Sequence, residues 1–134
     1  MKTIIAGSRS CLDIEYLMRA VKDLPWTITS VVCGMAKGAD ELGADYADCY
    51  THPIHSFPAD WKKFGRSAGY RRNEQMAKFA DTCIVLWDGE SKGSKHMIDL
   101  AKLHKLPTLV YKYNSNEFEF FNLEHLDETQ IFEC

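Results

Sequence analysis

The chain has 134 residues, of which 46% are hydrophobic and 26% are charged, and its formal net charge is -3. This size and composition are typical of one globular domain and exclude a disordered or fibrous protein. The negative charge argues against general nucleic-acid binding but is compatible with a local site for a small anionic ligand. The apolar runs are too short to cross a membrane, and we expect a cytoplasmic protein.

Cysteine occurs five times, without a CxxC pair or another metal-binding spacing. Cys33 and Cys83 lie in apolar, strand-like runs, where a reduced thiol packs as a small hydrophobic side chain. We therefore expect reduced cysteines, no metal site and no cofactor.

Strand-like and helix-like segments alternate along most of the chain. Apolar runs, most of them containing several β-branched residues, predict strands at residues 2–6, 27–33, 82–87 and 108–113, and residues 52–57 are a further strand candidate flanked by prolines. Apolar residues at helical spacing predict helices at residues 12–24, 39–50 and 69–80, and another near 97–104. This order predicts a Rossmann-like, doubly wound α/β domain with a mainly parallel sheet of about five strands and helices on both faces.

The last part of the chain departs from this alternation. We assign residues 1–113 to the Rossmann-like domain and residues 114–134 to a C-terminal extension. The extension is acidic, but it contains Phe118, Phe120 and Phe121 and is too apolar for a disordered tail. We expect it to pack on the domain or, as the alternative, on a partner subunit.

Polar loops that contain glycine follow three of the predicted strands, at residues 7–9, 34–40 and 88–94. The carboxyl ends of parallel strands meet at one edge of the sheet, where such folds bind ligands. Glycine permits close approach of a ligand to the backbone, and free N–H groups at helix starts favour an anion. The loops therefore predict a phosphate-type site, with plain turns and helix caps as the alternative interpretation.

Several familiar chemistries lack their motif. Lys37 precedes Gly38 without a Gly-Lys-Ser/Thr ending, which argues against P-loop hydrolysis, and no GxGxxG sequence supports redox chemistry with NAD. His55 and His96 lie near the predicted edge, but lone histidines are more often structural than catalytic. Trp61 is a candidate for stacking on a base, with core packing as the alternative.

The candidate ligand-binding residues belong to the loops, to Trp61 and to an Arg-Asn pair at the start of a predicted helix. They are Gly7, Ser8, Arg9, Gly34, Ala36, Lys37, Gly38, Asp40, Trp61, Arg72, Asn73, Asp88, Gly89, Ser91, Gly93 and Ser94.

Five segments together resemble the SLOG superfamily, and within it the YspA-like branch. In chain order they are Gly7-Ser8-Arg9, residues 34–40, residues 58–61, Arg72-Asn73 with Met76, and residues 87–94. The resemblance spans residues 2–113. It implies a Rossmann-like fold that binds nucleotides or their derivatives, and it favours a homo-oligomer.

The same superfamily contains the lonely-guy phosphoribohydrolases, which cleave the N-glycosidic bond of nucleoside monophosphates. Arg72 and Met76 match the pattern of that family, but Met97 stands where it has its catalytic glutamate. Methionine can neither activate water nor stabilise an oxocarbenium-like state. The resemblance thus leaves Asp40, Asp60 and Asp88 as candidate carboxylates, with Arg72 on the phosphate.

The sequence favours a protein that binds a nucleotide or a nucleotide-derived phosphate ligand, as a sensor or a sequestering protein. A nucleotide N-glycosidase is the alternative, and the sequence does not decide whether catalysis occurs. Single-stranded nucleic-acid binding through Arg9, Lys37, Arg71 and Arg72 ranks third because the chain is acidic overall.

Overall fold

The computed structural model describes residues 1–34 and 38–126, and it describes residue 40 by its backbone alone. The strands are β1 (Lys2–Gly7), β2 (Ser30–Cys33), β3 (Ile54–Ser56), β4 (Thr82–Trp87), β5 (Thr108–Lys112) and β6 (Glu117–Phe121). The helices are α1 (Ile14–Lys22), α2 (Ala39–Cys49), α3 (Trp61–Phe64), α4 (Ala68–Phe79) and α5 (Lys92–Leu103). Short 3-10 helices lie at Gly65–Ser67 and Leu123–His125.

The strands form one six-stranded sheet in the order β3-β2-β1-β4-β5-β6. The first five strands are parallel to their neighbours, whereas β6 is antiparallel to β5. The chain first builds outward from β1 to β3 and then crosses to the other side of β1 to form β4. The loops after β1 and β4 therefore diverge at the point where doubly wound sheets form a crevice.

Two apolar layers cover the two faces of the sheet, because successive side chains of a strand point to opposite faces. Ile5 and Ile84 pack in one layer with residues of α1 and α2, such as Leu17 and Leu42. Ile4 and Val85, their neighbours along the strands, pack in the other layer with α4 and α5. This burial on both faces explains the uninterrupted apolar run of β4.

The structure confirms the predicted Rossmann-like α/β fold. The predicted strands agree with β1 to β5 to within a few residues, and Thr82–Trp87 agrees at both ends. Cys33 and Cys83 are buried in β2 and β4, and burial raises the pKa of the Cys83 thiol. The described part of the sheet has six strands where about five were expected, because part of the extension pairs with β5.

The described part of the extension contacts the domain through aromatic side chains. The ring of Phe118 in β6 stacks on Tyr111 of β5 with a centroid separation of 4.3 Å. Phe121 packs against the layer formed with α4 and α5, and Leu126 is buried in the opposite layer. Residues 127–134 lie outside the described part of the chain.

Candidate functional site

A cavity of about 540 Å³ opens at the carboxyl ends of β1 and β4. Its wall on the strand side comes from residues 6–10, at the end of β1 and directly after it, and from Asp88 and Ser91 after β4. Its opposite wall comes from α3, the turn after it and the first half of α4, and α5 contributes its first turns. The cavity therefore occupies the switch point of the sheet, where this class of fold binds ligands.

Gly7 allows β1 to end very close to β4. Its φ is +153°, and a Cβ atom on it would lie 2.0 Å from the carbonyl oxygen of Leu86. The following residue, Ser8, is buried, and its N–H donates to the same carbonyl oxygen at 2.9 Å. The absence of a side chain at Gly7 thus fixes where the Ser8 hydroxyl lies.

The Ser8 hydroxyl joins the loops after β1 and β4. Its Oγ atom accepts a hydrogen bond from the N–H of Asp88 at 3.0 Å. The same atom lies 3.4 Å from Oγ of Ser94, which is buried in the first turn of α5. These contacts hold three segments of the cavity wall together.

The Asp88 carboxylate organises its own loop. Oδ1 accepts from the N–H groups of Glu90 and Ser91 at 2.9 and 2.8 Å, and Oδ2 accepts from the Ser91 hydroxyl at 2.7 Å. Burial raises the pKa of Asp88, but the hydrogen bonds outweigh it and lower the pKa from 3.8 to about 2. Asp88 is therefore ionised at neutral pH, and both of its oxygens are already hydrogen-bonded.

Arg72 reaches from α4 to the end of β2. Its Nη1 donates to the carbonyl oxygen of Gly34 at 2.7 Å, and its Nε donates to Oδ1 of Asn73 at 3.1 Å. A Cβ atom on Gly34 would lie 2.2 Å from Nη1, so glycine makes room for the guanidinium at this position. These two bonds use two of the five donors of a guanidinium, and Arg72 lines the cavity.

Positive charge is concentrated at this cavity. Arg9 and Arg66, both exposed, line it together with Arg72, and Asp88 is the acidic residue among the described lining residues. The whole chain, in contrast, carries a net charge of -3. The local excess of cations favours an anionic ligand.

Two exposed aromatic rings lie at the cavity wall opposite the strand ends. Trp61 begins α3 with 53% of its surface exposed, and Tyr70 in α4 is 46% exposed. A Cβ atom on Gly69 would lie 3.4 Å from Cη2 of Trp61, an ordinary van der Waals contact, so the indole lies close to α4. These large apolar surfaces are available to stack on a planar group.

Asn73 and His96 join α4 to α5 beside the cavity. The Nδ2 atom of Asn73 lies 3.3 Å from Nδ1 of His96 and 3.4 Å from the carbonyl oxygen of Gly93. The imidazole contacts Tyr70 edge to face at a centroid separation of 4.6 Å. Burial lowers the pKa of His96, against the opposing effect of Asp99 and Glu74.

The structure brings ten of the predicted ligand-binding residues around this cavity. They are Gly7, Ser8, Arg9, Trp61, Arg72, Asn73, Asp88, Ser91, Gly93 and Ser94. Gly34, Gly38 and Gly89 are not among its lining residues. Ala36 and Lys37, and the side chain of Asp40, lie outside the described residues.

Sequence reasoning missed five lining residues, namely Ala6, Ser10, Arg66, Gly69 and Tyr70. A further lining residue, Met97, is the one that the resemblance places at the catalytic position. The spacing of Arg66, Gly69, Tyr70 and Asn73 follows one face of a helix, and this pattern was the available signal. The predicted helix begins at residue 69, so the predicted face does not extend to Arg66.

The candidate catalytic groups differ in their surroundings. Asp60 is not among the cavity-lining residues, and its carboxylate accepts from the N–H of Lys63 at 3.1 Å as the N-cap of α3. Met97 is 1% exposed and lines the cavity wall.

Within the described ranges, no group of three or more His, Cys, Asp or Glu residues is placed to hold a metal ion. None of the described helices is long and apolar enough to span a bilayer.

Comparison with known proteins gives one family and one relative. The Gene 61 protein of Mycobacterium phage D29 is 29% identical over 120 residues, which cover 82% of this chain and 95% of that protein. No solved structure matches the chain. Residues 1–64 match the YspA, cpYpsA-related SLOG family, and this match confirms the resemblance to the YspA-like branch of the SLOG superfamily.

Proposed function

We propose that this protein binds a nucleotide or a nucleotide-derived phosphate ligand in the cavity at the ends of β1 and β4. The SLOG family suggests a nucleotide-related ligand in general. The observation that carries the proposal is the combination of three arginines and two exposed aromatic rings around one cavity. A phosphate and a base are the chemical groups that such side chains recognise.

The phosphate end of the ligand is assigned to the arginines and to the start of α5. A guanidinium can donate two parallel hydrogen bonds to phosphate oxygens, and Arg72 retains N–H groups for this purpose. Gly93 and Ser94, in the first turn of α5, line the same cavity. The free N–H groups of a first helical turn carry partial positive charge, which adds to the attraction of an anion.

The base end is assigned to Trp61 and Tyr70. Both rings have about half of their surface exposed, 53% for Trp61 and 46% for Tyr70, although each lines the cavity. Covering these surfaces with a planar base removes apolar area from water. A base in this position would lie on the α3–α4 side of the cavity, opposite the loops after β1 and β4.

The described carboxylates favour binding over glycosidic hydrolysis. Hydrolysis needs a carboxyl group that can accept a proton from water or stabilise positive charge on the sugar. The Asp88 carboxylate accepts three hydrogen bonds within its loop, which lower its pKa to about 2 and make it a weak base, and Asp60 caps α3. We therefore propose a sensor or sequestering protein, and the chromatographic assay below tests the enzymatic alternative.

A ligand panel tests the proposal. AMP, cyclic AMP and ADP-ribose are compared with adenosine, which lacks phosphate, and with inorganic phosphate, which lacks a base, by thermal unfolding and calorimetry. A ligand at a hundred times its Kd stabilises the native state by about 2.7 kcal/mol. We expect at least one nucleotide to bind more tightly than either fragment. If no nucleotide bound, or if phosphate alone bound equally well, the proposal would be wrong.

A charge-matched pair of variants localises the binding. Arg66→Gln removes an exposed arginine of the cavity wall and is expected to weaken nucleotide binding about 10- to 100-fold, the effect of losing a charge-assisted hydrogen bond. Arg19→Gln is the control, because Arg19 is an exposed residue of α1 that pairs with Glu15. Equal affinities of the two variants would place the ligand elsewhere.

The enzymatic alternative is tested by incubating AMP with the protein and separating the products by chromatography. Release of free adenine would establish hydrolysis.

A further inference from the structure

The orientation of the buried Asn73 amide is determined by two neighbours that each have one hydrogen-bonding role. The Nε–H of Arg72, 3.1 Å from Oδ1 of Asn73, can only donate. The carbonyl oxygen of Gly93, 3.4 Å from Nδ2, can only accept. The amide therefore presents its oxygen to Arg72 and its NH₂ group to α5.

This orientation dictates the protonation of His96. The Asn73 NH₂ group lies 3.3 Å from Nδ1 of His96, so Nδ1 must accept the hydrogen bond. The imidazole is then neutral, with its proton on Nε2. A second proton on Nδ1 would set a donor against a donor. If the Asn73 amide flipped to relieve this conflict, its NH₂ group would face the Nε–H of Arg72.

Charged groups reach His96 from both helices that enclose it. Glu74 of α4 and Asp99 of α5 favour the protonated form, but burial is the larger effect and lowers the pKa of His96. Glu74 is paired with Lys78, and Asp99 with Lys95. The ring of Tyr70 contacts the imidazole edge to face. The neutral form that Asn73 requires is thus the form that the surroundings favour at neutral pH.

We propose that neutral His96 is a positioning residue that holds the Arg72 guanidinium through Asn73, so that protonation of His96 weakens anion binding in the cavity. This proposal rests on the proposed function of the cavity, although His96 itself is not one of the lining residues. Affinity for an anion is expected to fall as the pH falls through the pKa of His96 in the folded protein, which lies below 6.5.

The first test needs no ligand. The Nε–H resonance of Arg72 is assigned in a ¹H–¹⁵N spectrum by its loss in Arg72→Lys. It is followed together with the His96 ring from about pH 7.5 to 4, because the pKa of His96 is lowered from its ordinary value. We expect both to titrate with the same midpoint in the natural protein. In His96→Asn, whose amide oxygen replaces Nδ1 as acceptor, the Arg72 resonance should not titrate. An Arg72 resonance that stays constant while His96 titrates would overturn the proposal.

The second test measures binding of AMP and of inorganic phosphate over the same pH range. The affinity ratio between the natural protein and His96→Asn cancels the ionisation of the probe. We expect this ratio to fall about 5- to 20-fold toward acid pH, the size of a lost hydrogen bond, and His96→Leu to bind weakly throughout. Parallel pH profiles for the natural protein and His96→Asn would overturn the proposal. If neither probe bound at any pH, the proposed function would fail, and the resonance titration would still decide whether His96 positions Arg72.

Discussion

The two sides of the cavity are built in different ways. One side, the strand wall, includes Gly7 at the end of β1, Ser8 directly after it, and Asp88 and Ser91 after β4. Polar groups of Ser8, Asp88 and Ser91 are hydrogen-bonded to one another. The Asp88 N–H donates to the Ser8 hydroxyl, and the N–H and hydroxyl of Ser91 donate to the Asp88 carboxylate. The other side, the helix wall, includes Trp61, Arg66 and Tyr70, whose side chains are exposed.

This difference separates residues that shape the cavity from residues that are available to a ligand. A polar group that already has its hydrogen bonds gains little from a ligand, and removing it disturbs the fold. An exposed ring or guanidinium contributes little to folding but can bury its surface against a ligand. Substitutions in the strand wall should therefore change stability, and substitutions in the helix wall should change binding.

The largest effect on stability is expected for Gly7→Ala. The added Cβ atom would lie 2.0 Å from the Leu86 carbonyl oxygen, and β1 and β4 would have to separate to relieve the clash. We expect a loss of more than about 3 kcal/mol in the free energy of unfolding, measured with urea. Gly93→Ala is the control, because open space surrounds that position, and its change should stay within about 1 kcal/mol. Similar losses for both variants would contradict the role given to Gly7.

Ser8→Ala should have the next largest effect. The substitution removes the hydroxyl that accepts a hydrogen bond from the N–H of Asp88. This N–H is then left without its acceptor next to the buried residue 8. The expected loss is about 1–3 kcal/mol in the free energy of unfolding. Ser115→Ala, at an exposed residue of the turn between β5 and β6, should change it by less than about 0.5 kcal/mol. A Ser8 variant as stable as its control would show that the hydroxyl does not join the two loops.

The fold was largely predictable from sequence because its signals are periodic. The apolar runs and helical spacings located β1 to β5 and four helices, since a sheet buried on both faces requires such runs. The pairing of β6 was not predicted. Residues 117–121 have the sequence EFEFF, and the ring of Phe118 finds its partner only in Tyr111 of the neighbouring strand. Contacts of this kind depend on the assembled sheet.

The location of the candidate site was also predictable, but the division of work among its residues was not. Glycines and polar residues after strands indicated the loops that meet at the switch point. The same residue types serve a ligand and the fold equally well, so the sequence could not reveal that the Asp88 carboxylate binds its own loop. Nor could it reveal that Gly34 makes room for the Arg72 guanidinium, because their contact joins β2 to α4.

Asp88→Asn tests the strand wall through its dependence on pH. The amide of the introduced asparagine keeps one acceptor oxygen but lacks the second. We expect the free energy of unfolding to fall by about 1 kcal/mol at neutral pH. Because folding lowers the pKa of Asp88 from 3.8 to about 2, its stabilising effect is complete above the unfolded value and disappears as the pH falls through the folded value.

The measurement is the free energy of unfolding of both proteins in urea, from about pH 7 down to 2. The difference between them should be constant near neutrality and should shrink between about pH 4 and 2. Asp45→Asn, at an exposed position of α2, serves as the control and should change stability by less than about 0.5 kcal/mol. A constant difference down to the lowest pH would contradict the role of the ionised Asp88 carboxylate.

Trp61→Ala should have the smallest effect on stability and thereby tests the helix wall most directly. With 53% of its surface exposed, the indole adds little to the core, and we expect a change of less than about 1 kcal/mol in the free energy of unfolding. Base stacking on an aromatic ring is worth about 1–3 kcal/mol, so AMP affinity should fall about 5- to 100-fold while affinity for inorganic phosphate stays the same. Trp61→Phe should restore most of the AMP affinity, because it restores a ring. A large loss of stability without a selective loss of AMP binding would make Trp61 a structural residue. The helix wall would then contribute to stability as the strand wall does, and the distinction between the two walls would be wrong.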